Sequence, residues 1–466
     1  MSTEIEYFGA AELSALYGSG ELSPIAAVRA ALAAIAAHDG ELNAFRLVDE
    51  ESALGAAAES ERRWQAKSPL SPLDGVPLSI KDLLLTRGWP TLRGSKLIDP
   101  DGPWDEDAPG VARLREAGAV ILGKTNTAEF GWKGATDSPL AGITRNPWNP
   151  KLTPGGSSGG AAAALASGMG ALALCTDGGG SIRNPAGFTN LYGLKPSFGR
   201  VPAYPPNPIG TLANVGPMAR SVGDLALMMN VIARPDARDW LSLPYDGTDY
   251  LAELEGGVED LRIAYSANLG FAAVDDDISR LIGAAAQLFS DLGARVEAVD
   301  PPLGDCTQIF ETHWHVGVAS AFEGLPDEKL ELLDPGLDRF VLAGREISLM
   351  AYVVAQNART ALGQAMRGFH EQYDLLILPT TAVTAFPVER RAPPGIGEDD
   401  WAAWSPFSYP FNLTMQPALS VPAGFSAAGL PVGLQIVGAM HRDALVLRAA
   451  RAFERATEHG LRVVYR

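Results

Sequence analysis

Residues 152–176 form a segment of 25 positions that carries no charged side chain. Its length would allow it to cross a lipid bilayer as a helix. The segment nevertheless contains six glycines, three serines and a proline, and alanine, with seven positions, is its commonest residue. This pattern predicts a helix buried in a protein core that leads into a buried strand, rather than a membrane span.

Short apolar strands alternate with helical patterns along most of the chain. Ser23 and Pro24 are typical of the start of the first helix, and Gly40 is expected to end it. Alternation of this kind is typical of an α/β fold whose sheet is covered by helices on both faces. Strands are predicted at 77–80, 119–122, 171–175, 263–265, 296–299, 375–378, 419–421 and 432–437, and helices at 25–37, 108–117, 278–292 and 444–453.

The chain shows no internal repeat and no linker between domains. The segments 202–210 and 392–397 are rich in proline and glycine and are interpreted as surface loops. We therefore expect residues 1–466 to form one large α/β domain.

The overall charge excludes several classes of partner. Lys and Arg together number 37 against 55 Asp and Glu, which gives a net charge of −18. Such a chain is poorly suited to binding nucleic acid or an anionic membrane surface, so neither partner is expected. Cys175 and Cys306 form neither a disulfide framework nor a four-thiolate zinc site. The acidic residues 1–6 do not resemble a secretory signal, and a cytoplasmic location is expected, although the cysteine usage would also suit the periplasm.

Three short patterns invite other interpretations. Residues 118–125 match a phosphate-binding loop, but their centre, AVIL, is typical of a strand whose amides are used in a sheet. His313 and His315 could share a metal ion on a strand but would diverge on a helix, and no third ligand is evident. Residues 155–159 match G-x-S-x-G, yet the proline-containing residues 146–154 before them cannot form the central strand that this motif follows. No metal site is predicted.

Two glycine- and serine-rich segments, 155–160 and 176–181, lie one helix and one strand apart. Glycine turns and helix termini expose several backbone N–H groups, which suits them to stabilise an oxyanion. A serine nucleophile needs a base, and no histidine lies near either segment in the sequence. A lysine at a strand end, desolvated by a core of small residues, can lose its proton and serve instead.

Ordered motifs across nearly the whole chain resemble the amidase signature family of serine hydrolases. The central ones are 154–160 (PGGSSGG), 176–183 (TDGGGSIR), 185–186 (PA) and 193–196 (GLKP). Others precede and follow them: 74–77 (DGVP), 81–82 (KD), 123–126 (GKTN), 144–148 (TRNPW), 216–220 (GPMAR), 411–413 (FNL) and 430–435 (LPVGLQ). The resemblance implies a central mixed, twisted sheet, a signature core at about residues 70–220, and a C-terminal part, 221–466, that completes the sheet and the substrate pocket.

The resemblance also implies roles for individual residues. Ser181 falls on the nucleophile, Lys81 on the general base, and Ser157 on the serine between them, whose peptide bond in the family is cis. The positions of the oxyanion hole are the amides of Gly178, Gly179, Gly180 and Ser181. Supporting positions fall on Ser158, Thr176, Asp177 and Arg183, and substrate-binding positions on Phe130, Gly131 and Trp132.

Each central residue has an alternative when it is considered alone. Lys81 could form an ordinary ion pair with Asp82 or Asp177. Ser157 could cap a helix, and Ser181 could belong to a simple turn. The order of all three within the motifs favours catalysis.

The expected activity is hydrolysis of amides, anilides, and also carbamates or esters, through a serine acyl-enzyme. The alternatives are the glutaminase subunit of a tRNA-dependent amidotransferase and a non-catalytic binding module. Glutaminase members carry an acidic residue shortly before the Asn-Leu motif, whereas residues 401–412 here contain none. We expect a monomer or homodimer, a small-molecule amide or carbamate as partner, and no cofactor.

Aromatic residues are the main sequence evidence about the substrate. Together with the net charge of −18 and the absence of an acid before Asn412, they favour an uncharged substrate with an apolar or aromatic group. The candidates beyond the substrate-binding positions are Trp314, Trp401, Trp404, Phe407, Tyr409 and the loop residues Tyr204, Pro205 and Pro206.

Overall fold

The computed structural model describes residues 5–398, 400–461 and 464. Residues 1–4, which belong to the acidic N-terminus, lie outside these ranges. The strands in the described part are β1 (Phe45–Val48), β2 (Pro77–Lys81), β3 (Val120–Thr125), β4 (Asp137–Ser138), β5 (Gly142–Ile143), β6 (Leu172–Asp177), β7 (Tyr192–Lys195), β8 (Asn214–Ala219), β9 (Arg262–Tyr265), β10 (Arg295–Ala298), β11 (Leu375–Pro379), β12 (Ala418–Phe425) and β13 (Pro431–Gly438).

Helices connect and cover these strands. They are α1 (Ala10–Ser19), α2 (Pro24–Leu42), α3 (Glu50–Gln65), α4 (Pro109–Glu116), α5 (Gly159–Ala166), α6 (Arg183–Thr189), α7 (Val222–Ile232), α8 (Asp276–Asp291), α9 (Thr307–Ala321), α10 (Asp327–Leu330), α11 (Leu337–Glu346), α12 (Leu349–Phe369), α13 (Trp401–Trp404), α14 (Pro410–Leu413) and α15 (Asp443–Ala456). Short 3₁₀ turns lie at Ile5–Tyr7, Glu129–Gly131, Gly210–Leu212 and His459–Leu461.

Eleven of the described strands form one sheet in the order β1-β3-β2-β6-β8-β7-β12-β13-β11-β9-β10, and β4 pairs with β5 separately. Strand β2 is parallel to both β3 and β6, whereas β8 is antiparallel to β6. The sheet is therefore mixed, and the prediction of an α/β fold with a mixed sheet is confirmed.

Both faces of the sheet are covered. Successive side chains of a strand point to opposite faces, and on β3 Ile121 packs into a core that includes α4, whereas Leu122 packs into another that includes α2. The uncharged segment 152–176 becomes the buried helix α5 and most of the buried strand β6, as predicted. Among the described residues, no helix is both long enough and apolar enough to span a membrane.

One predicted boundary is wrong. Helix α2 continues through Gly40 to Leu42, and Asn43 ends it in a left-handed conformation, with its N–H bonded to the Asp39 carbonyl at 2.8 Å. A glycine inside a helix costs only about 1 kcal/mol. Since Leu42 is fully buried, its packing offsets that cost and carries the helix one further half-turn.

Candidate active site

Two neighbouring strand ends form the centre of the site. Strands β2 and β6 run parallel, with Ile80 opposite Leu174, so their carboxyl ends meet at the same edge of the sheet. Lys81 is the last residue of β2, and Thr176 lies next to the end of β6. The Lys81 Nζ lies 3.0 Å from the Thr176 Oγ1 and 3.5 Å from its carbonyl oxygen. Parallel pairing alone brings together residues that are 95 positions apart.

The loop before α5 brings the first serine to the lysine. The Ser157 Oγ lies 2.7 Å from the Lys81 Nζ, and the Gly156–Ser157 peptide bond is cis. A Cβ on Gly156 would come within 2.6 Å of the Ala135 backbone, so only glycine allows the loop to approach this closely. Ser157 is not the helix cap. Ser158 occupies that position, and its hydroxyl donates instead to the Thr176 carbonyl at 3.2 Å.

Burial sets the protonation of Lys81. Its side chain is fully buried, and this desolvation lowers the pKa to about 7, while Cys175 and Asp177 act in the opposite direction. Burial also raises the pKa of the Cys175 thiol to about 12. At neutral pH a large fraction of Lys81 is therefore an uncharged amine that can accept a proton.

Neither neighbouring carboxylate forms an ion pair with Lys81. Asp82 lies 2.9 Å from the Arg46 Nε and 3.3 Å from the Lys124 Nζ. Asp177 pairs with Arg183 at 2.9 Å. The interpretation of Lys81 as half of a salt bridge does not describe this structure.

Asp177 holds the loop that follows β6. Its carboxylate accepts hydrogen bonds from the Gly180 N–H at 2.8 Å, the Ile182 N–H at 3.1 Å and the Arg183 Nε at 3.0 Å. Burial alone would raise the pKa of Asp177, but the charge and hydrogen bonds of Arg183 outweigh it and hold the pKa well below its usual range. A permanently ionised carboxylate thus fixes the turn at residues 178–182.

Three downstream residues for which no role was predicted complete this support. The Arg183 guanidinium donates to the Asn412 Oδ1 at 2.6 Å, the Gln435 Oε1 at 2.8 Å and the Ser408 carbonyl at 2.8 Å. Asn412 also donates to the Asp177 Oδ1 at 3.0 Å. Asn412 and Gln435 lie in the recognised motifs 411–413 and 430–435, so motif membership was the available signal.

Ser181 lies just before α6 and lines the same cavity as Ser157. Its carbonyl accepts the Ser158 N–H at 3.3 Å, which ties the two serine segments together. The predicted oxyanion hole needs one correction. The Gly180 N–H is used by the Asp177 carboxylate at 2.8 Å, so in this conformation it is not available to a substrate oxygen. Gly178 and Ser181 line the cavity, and Gly179 borders a narrow extension beside Ser181.

The cavity has a volume of ≈230 Å³. The predicted substrate-binding residues Phe130, Gly131 and Trp132 all line it, and a Cβ on Gly131 would lie only 3.1 Å from the Ser157 Oγ. Further apolar walls come from residues that the sequence did not single out: Leu83, Leu84, Leu174, Ile209, Val215, Val318, Phe322 and Leu337.

The aromatic candidates divide into two groups. Tyr204, Pro205, Pro206 and Trp314 line the cavity, and Trp401 borders its narrow extension. The loop 202–210, interpreted from its composition as a surface loop, therefore also forms part of the cavity wall.

The remaining aromatic candidates pack in the core. Trp404 stacks on Phe188 with ring centroids 5.8 Å apart, and Tyr409 stacks on Phe310 at 4.7 Å. Phe407 is fully buried in a separate core cluster. Composition does not separate the two groups, because aromatic side chains suit both cores and pockets.

Two of the three short patterns, the apparent phosphate loop and the histidine pair, take structures that argue against their alternative functions. Residues 120–125 of the apparent phosphate loop are strand β3. His313 lies on α9, where its ring nitrogens contact the Ile309 carbonyl at 2.8 Å and the Gln356 Oε1 at 3.0 Å. Within the described ranges, no group of three His, Cys, Asp or Glu side chains is arranged to hold a metal ion.

The chain matches known proteins over nearly its whole length. The sequence model of the amidase family matches residues 26–447. An acylamidase of Rhodococcus erythropolis is 37% identical over 457 residues, which cover 97% of this chain and 95% of the relative. One subunit of the glutamyl-tRNA(Gln) amidotransferase of Myxococcus xanthus is also 37% identical, over 95% of this chain and 96% of the relative. The crystal structure of a bacterial aryl acylamidase superposes with a TM-score of 0.91 at 33% identity, covering 98% of this chain and 97% of the other.

The fold is that of the amidase signature enzymes, which hydrolyse amide bonds. The chain belongs to the amidase family, and it is an amidohydrolase.

Proposed function

We propose that this protein is a stand-alone amidase in which Ser181 forms an acyl-enzyme with amides, anilides or carbamates that carry an apolar or aromatic group. One observation carries the proposal. The Lys81 Nζ, with a pKa lowered to about 7 by burial, lies 2.7 Å from the Ser157 Oγ beside the cavity that contains Ser181. Such an arrangement activates a serine without histidine.

The proposed reaction starts with proton transfer between side chains. Neutral Lys81 takes the proton of the Ser157 hydroxyl, and Ser157 takes the proton of Ser181 as the Ser181 Oγ attacks the substrate carbonyl carbon. The carbonyl π electrons move to oxygen, and the amides of Gly178, Gly179 and Ser181 are the proposed donors to the resulting oxyanion. A single donor of this kind contributes about 3–4 kcal/mol in comparable sites.

Collapse of the tetrahedral intermediate breaks the C–N bond. The same relay returns a proton to the leaving nitrogen, so the amine departs neutral and the acyl group remains on Ser181. Water then attacks the ester carbonyl, Lys81 again accepts a proton through Ser157, and the carboxylic acid leaves. These steps require neither a metal nor an organic cofactor.

The apolar cavity supports the substrate class. Phe130 packs edge-on against Phe322 with ring centroids 4.9 Å apart, and Trp314 lies beside Gly178. Surfaces of this kind favour aryl and alkyl groups by removing apolar area from water.

The 37% identity to one component of an amidotransferase keeps the glutaminase function as a second candidate. Glutamine carries an α-ammonium group that needs an acidic partner. Of the cavity-lining residues that the structure describes, only Asp177 is acidic, and Arg183 already neutralises it. The stand-alone amidase is therefore the better-supported function.

A hydrolysis panel tests the proposal. The purified chain is incubated separately with anilides, alkyl amides, aryl carbamates and glutamine, with Ser181→Ala as the matched control. We expect turnover of anilides or apolar amides that disappears in the control. Faster release of ammonia from glutamine than turnover of every other substrate would instead favour the glutaminase.

A further inference from the structure

Arg93 is the unusual residue of the cavity. Within the described ranges, only two charged side chains, Arg93 and Asp177, line the main cavity, and Asp177 is paired with Arg183. Lys133 borders the narrow extension and is paired with Asp334. The half-buried Arg93 guanidinium has no hydrogen bond and no ion pair with any residue that the structure describes. A guanidinium group offers five N–H donors, and those of Arg93 are free to bind an acceptor that enters this mostly apolar cavity.

The surrounding charges do not supply a partner. The carboxylate that acts on the charge of Arg93 is Asp82, which is buried and already shared by Arg46 at 2.9 Å and Lys124 at 3.3 Å. Three basic side chains therefore surround one acidic group. Burial lowers the pKa of Arg93, and Asp82 acts in the opposite direction from a distance. Burial likewise lowers the pKa of Lys124, to about 8. An anion arriving from the cavity side would relieve this imbalance.

The backbone places Arg93 rigidly at the cavity. Its N–H donates to the Asp82 carbonyl at 3.1 Å, and its own carbonyl accepts the Phe130 N–H at 2.8 Å. The residue is thus tied both to the position after Lys81 and to a predicted substrate-binding residue. Its φ of 55° is a left-handed conformation, which costs a residue other than glycine about 1–2 kcal/mol. The chain therefore has an arginine at a position where glycine would adopt the same backbone conformation with less strain.

We propose that Arg93 binds a carboxylate on the substrate, so that the preferred substrate is an amide with an apolar body and one anionic group. This inference rests on the proposed amidase function and specifies its substrate. Guanidinium and carboxylate form two parallel charge-assisted hydrogen bonds, which are strong in a desolvated cavity.

The inference changes the expectation of an uncharged substrate. That expectation used the net charge of −18, which acts at long range and is screened beyond about 8–10 Å at ordinary ionic strength. Inside a cavity the adjacent charge dominates, and here that charge is the Arg93 guanidinium.

Matched substrate pairs test the role of Arg93. The first pair is acetanilide and 4-acetamidobenzoate, which carries the carboxylate on the amine part. The second pair is the anilide of hexanoic acid and the monoanilide of adipic acid, which carries it on the acyl part. In at least one pair we expect the wild-type protein to show kcat/KM at least about tenfold higher for the carboxylated member.

Variants separate charge recognition from folding. Arg93→Met should remove the preference for the carboxylated substrate, mainly by raising the KM of that substrate. It should leave kcat/KM for the neutral substrate within about twofold of the wild-type value. Arg93→Lys should keep part of the preference, because it keeps the positive charge. Arg93→Gly, which accepts the left-handed backbone, is the second neutral variant if Arg93→Met unfolds. Arg29→Met removes an exposed arginine on α2 and serves as the control, with no expected change.

Two results would overturn the inference. One is an absence of preference for the carboxylated member in both pairs. The other is an equal fall in kcat/KM for the neutral and the carboxylated substrate in Arg93 variants that fold normally. Failure of the proposed function has a different signature, which is no Ser181-dependent turnover of any member of either pair.

Discussion

The cavity has two walls that are built differently. One wall contains the proposed catalytic residues and is called the catalytic wall here; it consists of Lys81, Ser157 and residues 176–183. The apolar wall consists of residues 202–209 and the segment from Trp314 to Leu337. In the catalytic wall, hydrogen bonds fix the charged groups, and Arg183 alone donates to four different residues. In the apolar wall, even the buried Trp314 Nε1 has no hydrogen-bond partner among the described residues.

This difference separates chemistry from substrate selection. Proton transfer and oxyanion binding need donors held to within fractions of an ångström, which strand ends and paired charges provide. Apolar contacts are non-directional, so the second wall can select substrates by shape. Changes in the catalytic wall should therefore abolish activity, and changes in the apolar wall should shift substrate preference.

Ser181→Ala should have the largest effect. It removes the atom that is proposed to form the acyl-enzyme, so kcat should fall by about 10⁴–10⁶-fold while the fold is kept. Active-site titration with a fluorophosphonate provides a second measurement, since the label should attach to Ser181 in the wild-type protein. Label on Ser157 or Ser158 would contradict the assignment of the nucleophile.

The protonation of Lys81 should set the pH dependence of activity. A base must be unprotonated, and the pKa of Lys81 is lowered to about 7, so kcat/KM should rise about tenfold per pH unit below 7 and level off above it. Lys81→Met should lower kcat by at least about 10³-fold. Methionine is similarly long and cannot be charged, so the protein should unfold at the same temperature or higher. A profile unchanged in shape and height in Lys81→Met would exclude Lys81 as the base.

Arg183→Met should disturb the structure of the catalytic wall, although Arg183 is not one of the proposed reacting residues. It leaves the buried Asp177 carboxylate without its cation, which should lower the free energy of unfolding by about 3–5 kcal/mol. The loop at residues 178–182 should loosen and activity should fall with it. Chemical denaturation and kinetics measure the two effects. Arg280→Met, which removes a surface ion pair with Asp277, is the control and should cost less than about 1 kcal/mol.

Trp314→Phe should change which substrates are preferred and leave the catalytic step itself intact. The smaller ring widens the cavity beside Gly178 and leaves no buried polar group without a partner. We expect kcat/KM for bulky anilides relative to acetanilide to change by about tenfold, at a stability cost of about 1 kcal/mol. A loss of about 10³-fold on every substrate would place Trp314 in the catalytic wall instead.

Cys175→Ala should have the smallest effect. The thiol is fully buried on β6 next to the catalytic loop, and burial raises its pKa to about 12, so it remains neutral. We expect kcat within about threefold of the wild-type value and a stability loss of about 1 kcal/mol. Complete loss of activity in a folded Cys175→Ala variant would show that the thiol takes part in catalysis.

The sequence by itself determined the α/β class, the buried nature of residues 152–176 and the candidates Lys81, Ser157 and Ser181. These follow from short-range information, because strand and helix periods, glycine turns and ordered motifs are all visible within a few tens of residues.

Only the tertiary structure decided which of those residues meet and what surrounds them. In the folded chain the Gly180 N–H donates to Asp177, and Trp314 lines the cavity whereas Trp404 packs in the core. The Arg93 guanidinium has no hydrogen-bond or ion-pair partner among the described residues. These outcomes depend on contacts between distant segments, such as Asp177 with Asn412, which lie 235 positions apart. Local patterns set which elements form, whereas packing and the pairing of buried charges set where each side chain goes.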